Sequence, residues 1–295
     1  MNILLIGDQG CIGIGLKKYL HKSFNFIGWS SKEDISLIST KMLKTKKINI
    51  VINLASIIDR SNKIISLNSR LYNVNILGVK TLVKCCIELN IPIIHISSKD
   101  IYGYVYKFDD LKINNKNYAS PKFLIKADHA YKPETAYAKS KLISEYLIES
   151  YQKSTIIRLN TIYGDYVHSN QSWILTIIKK IINNEEIILD NNGFTFRDPL
   201  HISDFANLIK SIINNKFYGM KINVGGGKKN IICLNELYEL VLKKTTEELN
   251  KKINIKFKKS LDFGFAFENN IPKKINWAPK KFIRNELVNL IHLMK

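Results

Sequence analysis

No run of eighteen or more apolar residues occurs in the 295-residue chain, which argues against a membrane-spanning helix. The N-terminus opens directly on a strand pattern, so no secretory leader is expected and a cytoplasmic protein is. Only four cysteines are present (Cys11, Cys85, Cys86, Cys233). They lack zinc-ligand spacing, and a chain of this length needs no disulfides, so no metal is expected. Cys85 and Cys86, adjacent in a helical pattern, read as packing. Internal repeats and low-complexity tails are absent. Acidic residues are scarce, 25 against 45 Lys and Arg, for a net charge of +20. Such a balance can mark nucleic-acid binding. Here the lysines are spread along the chain among Asn and Ile, and no basic tail or nucleic-acid module accompanies them, so no nucleic-acid role is expected. Hydrophobic content of 45% is that of a globular protein.

What is present begins at residue 2. Asn2 to Ile6 is a short apolar run with the composition of a buried parallel strand. Gly7, Gly10 and Gly13 follow at three-residue spacing, and Ile12, Leu16, Tyr19 and Leu20 continue at helical spacing. A strand, a glycine turn and a helix in this order suit a pyrophosphate, because helix N-terminal N–H groups and the helix dipole attract anions. A second strand over 24–29 ends where an adenosine ribose would lie. An acid there accepts from a 2′-hydroxyl. The chain instead reads Ser30-Ser31-Lys32, which suits a 2′-phosphate, so NADP(H) is favoured over NAD(H). Glu33 and Asp34 lie close enough to serve if the strand ends later. Further strands are expected over 49–55 and 91–96, with a long helix over 71–89. The fourth strand delivers Ser97 and Ser98 at its C-terminal end, where open parallel sheets bind ligands.

Tyr137 and Lys141 are expected to carry the chemistry; the alternative is an amphipathic helix with a surface tyrosine and lysine. Pro133 suits a first helical turn, and 136–151 predicts a helix without internal Gly or Pro. Residues four apart share a face. A free phenol titrates near 10 and is a poor acid–base group at neutral pH, whereas a nearby ammonium favours the phenolate. A serine hydroxyl from the neighbouring strand can hold the reacting oxygen at the same point.

These residues together resemble the extended short-chain dehydrogenase/reductase family, the group of nucleotide-sugar epimerases, dehydratases and reductases. Gly7-x-x-Gly10-x-x-Gly13 matches the cofactor turn, which implicates Cys11 and Ile12 beside the glycines. Asn53-Leu54-Ala55-Ser56 resembles the segment lining the cofactor, and Asn75 a helix asparagine. Ser97-Ser98-Lys99-Asp100-Ile101-Tyr102-Gly103 resembles Ser-Ser-x-x-Val-Tyr-Gly. Arg158-Leu159-Asn160-Thr161-Ile162-Tyr163-Gly164, Arg197-Asp198-Pro199-Leu200-His201 and Trp277-Ala278-Pro279 resemble three later family motifs. The resemblance covers nearly the whole chain. It implies that Tyr137 is the general acid or base, that Lys141 lowers its pKa and binds the nicotinamide ribose, and that Ser98 orients the substrate oxygen. Lys99, Thr161 and Arg197 would touch substrate, with Arg197 facing a diphosphate unless it pairs with Asp198 or Asp204.

Departures narrow the reaction. Lys99 and Asp100 stand where the family's 4,6-dehydratases carry Asp and Glu, which argues against water elimination. Thr161 replaces a usual Asn. The stretch 104–131 separates Ser98 from Tyr137 more widely than is usual, and is either a lid or a surface insertion. The expected fold is α/β, a Rossmann-type doubly wound parallel sheet over 1–165 with a smaller C-terminal α/β substrate lobe over 166–295, of which about 200–226 returns to the main sheet. The expected activity is reduction of a 4-keto-sugar nucleotide. A nucleotide-sugar 4-epimerase with retained NAD is the alternative, and a non-catalytic cofactor-sensing protein a second one. A homodimer is common in the family.

Overall fold

Alternation along the first strand sets the layers. In β1 (Asn2–Ile6), Ile3 and Leu5 pack on one side of the sheet and Leu4 and Ile6 on the other, all four buried. A strand covered on both faces must be apolar throughout, which is why this segment reads as a continuous run. The computed structural model describes residues 1–30, 34–165, 172–245 and 253–294. Ser31 and Lys32, expected at the ribose, and residue 166, the expected start of the second lobe, lie outside them.

The main sheet has six parallel strands. β1 lies between β2 (Asn25–Trp29) and β3 (Ile50–Asn53). Beyond β3 follow β4 (Ile93–Ser98), β5 (Ser154–Leu159) and β6 (Met220–Val224). The chain leaves β1 toward β2, then crosses to β3 on the opposite side. That reversal opens a crevice beyond the C-terminal ends of β1 and β3. On one face pack Leu16 and Leu20 of α1 (Cys11–Leu20) with residues from a helix near 205. On the other pack Leu82, Val83 and Cys86 of α2 (Gly78–Leu89) and Ile148 of α3 (Ala136–Glu149). Cys85 and Cys86 are both buried in this second layer. Segment 71–89 is not one uniform helix: a short α turn (Arg70–Tyr72) and a π turn (Asn73–Leu77) precede α2. The strand expected over 91–96 runs instead to Ser98, because Ser97 and Ser98 stay paired with Arg158 and Leu159 of β5.

After residue 171 the chain builds a second core. α4 (Trp173–Ile182), α6 (Leu234–Thr245) and α7 (Ile283–Met294) pack through Ile174, Ile178, Leu237, Val241, Leu287 and Ile291. Between α4 and α6 comes α5 (Ile202–Asn214), which returns to α1, and β6 pairs with β5, so 200–226 rejoins the sheet as expected. Stretch 104–131 is not a loose appendage. Tyr106, Leu111, Ala119 and Ile125 are buried with Phe196, Phe265 and Phe267 in an aromatic cluster. Ile125 is tied by backbone bonds to Ala266 (3.0 Å) and Glu268 (2.9 Å).

One charged seam runs through this core. Arg158 on β5 and Glu145 on α3 are each 1% exposed and lie 2.8 Å apart. Ser97 Oγ donates to the same carboxylate, and Arg158 donates to Tyr102 OH (2.6 Å), Tyr131 OH (2.5 Å) and Ala127 O (3.0 Å). Tyr102 OH in turn donates to Asn223 on β6 (2.8 Å). The guanidinium thereby finds a partner for each face, the condition under which a buried charge is tolerated.

Candidate functional site

The glycine turn sits at the sheet's reversal point. Gly7 has φ +83, and its N–H donates to Trp29 O (2.8 Å), tying the turn to the end of β2. A Cβ on Gly7 would meet Ala55 N at 3.0 Å, and one on Gly13 would meet Gly7 O at 2.6 Å. Both positions therefore need glycine, one for a left-handed backbone and one for close packing. Gly10 differs: a Cβ there would touch only Gly7 O, at 3.4 Å, so the space above the helix N-terminus is open for a ligand. The side chain of Ile12 packs into the sheet core and that of Cys11 toward the second lobe, so these two offer backbone N–H groups rather than side chains. This cradle fits the pyrophosphate of a dinucleotide.

The loop after β3 forms the floor. Leu54 N donates to Ile6 O (2.9 Å) and Ala55 N to Asn53 Oδ1 (3.1 Å). Asn75 is 2% exposed, and its amide is fully engaged: Oδ1 accepts from Ile57 N (2.8 Å), while Nδ2 donates to Ile57 O (2.9 Å) and Ser140 Oγ (2.8 Å). It clamps the 54–69 loop to α3 instead of presenting a free group to the crevice. Asp34 is also occupied. Its carboxylate accepts from Ser36 N (2.8 Å), caps the turn Ile35–Leu37, and is held below its usual pKa by that bonding. Ser30 is half-buried just past the end of β2.

Thr135 caps α3 through Ala138 N (3.1 Å) and sets Tyr137 in its first turn. The 54–69 loop docks on this helix start: Ala136 N donates to Ser61 O (2.7 Å) and Tyr137 N to Asp59 O (2.9 Å). The Tyr137 phenol thereby comes beside the hydroxyls of Ser98 and Ser56. The expected acidification of Tyr137 is not found. Burial, then the Asp100 carboxylate, push the phenol up to about 12, against the opposing pull of Ser98, Ser56 and the Arg60 cation. Lys141 is 3% exposed and donates to Ile96 O (2.6 Å), and burial brings it down to about 8 while Glu145 opposes. The ammonium is bonded to a strand carbonyl.

Around the phenol lies a ring of charge. Burial raises Asp100, but Lys99 (Nζ to Oδ1 2.6 Å), Arg60 and Arg197 more than offset it and leave the carboxyl below its usual pKa. Arg197 pairs with neither Asp198 nor Asp204. It donates to Asp262 Oδ2 (2.5 Å) and Phe196 O (2.7 Å), and Asp262 is held near 2 against burial by Arg197 and Lys99. Lys99 also sits 5.1 Å over the Phe265 ring. Thr161 is half-buried at the β5 end; its N–H donates to Asn160 Oδ1 (2.8 Å) and its carbonyl accepts from Leu200 N (2.8 Å). Arg60 and Asp262 carry no motif and escape sequence reading. Among the described residues no cluster of His, Cys, Asp or Glu could hold a metal ion. No described helix is long and apolar enough to cross a membrane.

Residues 3–225 match the family model described as the NAD dependent epimerase/dehydratase family. A dTDP-D-glucose 4,6-dehydratase of Dictyostelium discoideum is 27% identical over 259 residues, covering 76% of this chain and 58% of that protein. The chain thus spans little more than half the length of the curated relatives it matches. Among solved structures, a UDP-glucuronic acid 4-epimerase from Bacillus cereus in complex with UDP-glucuronic acid and NAD superposes with a TM-score of 0.80 at 20% identity, covering 100% of this chain and 99% of that one. A dTDP-4-dehydrorhamnose reductase from Clostridium acetobutylicum gives 0.76 at 20% identity, with the same coverage. At these identities the likeness establishes the fold.

Proposed function

Because the chain belongs to the NAD dependent epimerase/dehydratase family, we propose that it is an NAD(P)-dependent oxidoreductase reducing a 4-keto group on a nucleotide-linked sugar. The observation that carries this reading is geometric: the Tyr137 phenol lies beside the Ser98 hydroxyl at the C-terminal end of β4. Its proton would pass to a carbonyl oxygen receiving a hydride. Ser98, beside the phenol at the end of β4, would hold that oxygen. The nicotinamide, when bound, supplies the hydride. Gly7, Gly10 and Gly13 with the N–H groups of Cys11 and Ile12 would cradle its pyrophosphate, and Leu54, Ala55 and Ser56 would line it. Lys141 would hold the nicotinamide ribose.

The tie between Lys99 and Asp100 counts against dehydration, since neither is free as an acid or base for water removal. Arg197, Lys99 and Thr161 would meet the nucleotide-sugar, with Arg197 exchanging Asp262 for a phosphate. An epimerase is the competing reading, because relatives of that class share the fold. The two part on one observation: an epimerase carries its dinucleotide through purification, whereas a reductase consumes added reduced cofactor. The test of the acid–base role is Tyr137→Phe. Turnover on a 4-keto-sugar nucleotide should fall about 10²–10⁴-fold with dinucleotide binding retained. Unchanged turnover would remove Tyr137 from the chemistry.

A further inference from the structure

We propose that the 104–131 stretch builds a second binding site, outside the reaction crevice, for a nucleoside di- or triphosphate. The site does not depend on the reaction proposed above. Leu111–Ile113 and Ala119–Pro121 pair as an antiparallel hairpin. Its turn end is fastened to the second lobe: Ala119 N donates to Cys233 Sγ (3.3 Å), Asn235 Nδ2 on α6 to Asn117 O (3.2 Å), and Tyr118 OH to Glu239 of the same helix. Between hairpin and lobe remains a cavity of about 770 Å³, the size of sites that hold drug-sized ligands. None of Ser98, Lys99, Tyr137, Lys141, Thr161 or Arg197 lines it.

The cavity walls carry an excess of positive charge. Lys112, Lys122 and Lys126 come from the stretch, and Lys228 and Arg284 from the lobe. Arg284 is spent: it holds Glu236 through Nε (2.7 Å) and Nη2 (2.8 Å) and donates to the carbonyls of Lys229 and Ile231 (2.8 Å each). Lys112, Lys126 and Lys228 pair with no carboxylate among the described residues, and Lys122 donates to a carbonyl, Asp109 O (2.5 Å). With Glu236 neutralised by Arg284, these four lysines share the cavity with one further acid, Glu268. Lysine is common throughout the chain; here segments far apart in sequence bring four of them onto one concave surface. Such an arrangement focuses a positive field, which suits a ligand with several negative charges. Lysine meets phosphate as a point charge. Phe123 supplies the other half of the site. Its ring is 42% exposed on the cavity wall and packs on the Tyr106 ring, centroids 5.0 Å apart. An open aromatic face stacks a nucleobase whatever its sequence identity. Ile125, between Lys126 and the hairpin, is bonded to Ala266 and Glu268, so a ligand here would brace the stretch against the lobe.

The test is ATP, without added metal ion, titrated at low salt into the natural protein and into a Lys112→Ser, Lys126→Ser, Lys228→Ser triple variant, read by calorimetry. The variant should bind ATP about tenfold or more weakly, the combined scale of three exposed charge pairs, with its melting temperature unchanged. Phe123→Ala should weaken ATP about tenfold, the scale of one stacked base, and leave inorganic triphosphate untouched. Should the variants not fold, amide exchange on the natural protein serves: ATP should slow exchange over 111–124. An ATP affinity unmoved by the triple substitution, equal losses of ATP and triphosphate in Phe123→Ala, or protection confined to the glycine turn overturns the assignment while leaving the oxidoreductase reading intact.

Discussion

Lys141→Met should abolish turnover and yet make the cofactor-free protein more stable at neutral pH. The lysine is 3% exposed, and burial brings it from an ordinary 10.5 to about 8. At about 1.4 kcal/mol per pH unit, holding that charge inside costs about 3 kcal/mol wherever the group is protonated in both states. Methionine keeps the apolar stem but gives up the bond to Ile96 O, worth about 1 kcal/mol. Glu145 loses the neighbouring ammonium but keeps Arg158, so no acid is orphaned. The net is a gain of about 1–2 kcal/mol at pH 7, or roughly 4 °C in Tm. The sign reverses with pH. Between about 8 and 10.5 the unfolded chain holds the proton that the folded one has lost, so natural stability rises with pH and the variant's advantage fades. Above that window the variant is the weaker by the lost hydrogen bond. Paired thermal melts from pH 6 to 10 read the difference. A variant less stable at pH 7, or a Tm gap constant across that range, refutes the reasoning.

Gly13→Ala should cost at least about tenfold in dinucleotide affinity by fluorescence titration, because a Cβ 2.6 Å from Gly7 O forces the turn apart; unchanged affinity would dissociate the turn from binding. Arg158→Met should destabilise by about 3–5 kcal/mol in urea, since it leaves the Glu145 carboxylate buried without its cation; a loss under about 1 kcal/mol would show that the seam contributes little.

The parallel sheet and its glycine turn are legible because their determinants are local: an apolar run, glycines at fixed spacing, then a helical period. Ser98, Ser56 and Tyr137 are legible as types, and the structure brings them together. Lys141 is legible as a neighbour of Tyr137 on one helix face, but not its orientation, since the carbonyl that draws the ammonium away belongs to a strand 45 residues earlier. Arg197 shows the same limit: its carboxylate partner lies 65 residues downstream, beyond either acid that sequence proximity offers. Stretch 104–131 reads as polar and aromatic-rich, and its Tyr106, Leu111, Ala119 and Ile125 fill a core shared with Phe196, Phe265 and Phe267, which lie far along the chain.

Through Tyr131 and Ala127 the charged seam of Arg158, Glu145, Tyr102 and Asn223 stitches the 104–131 stretch to β5, β6 and α3 at once. Lifting that stretch from the sheet would break the Arg158 bonds to Tyr131 OH and Ala127 O and uncover a buried guanidinium. The span 54–69 is held to the start of α3 by two backbone bonds and the Asn75 amide. Amide exchange should accordingly be faster in that span than across the seam, where the backbone is buried around an ion pair.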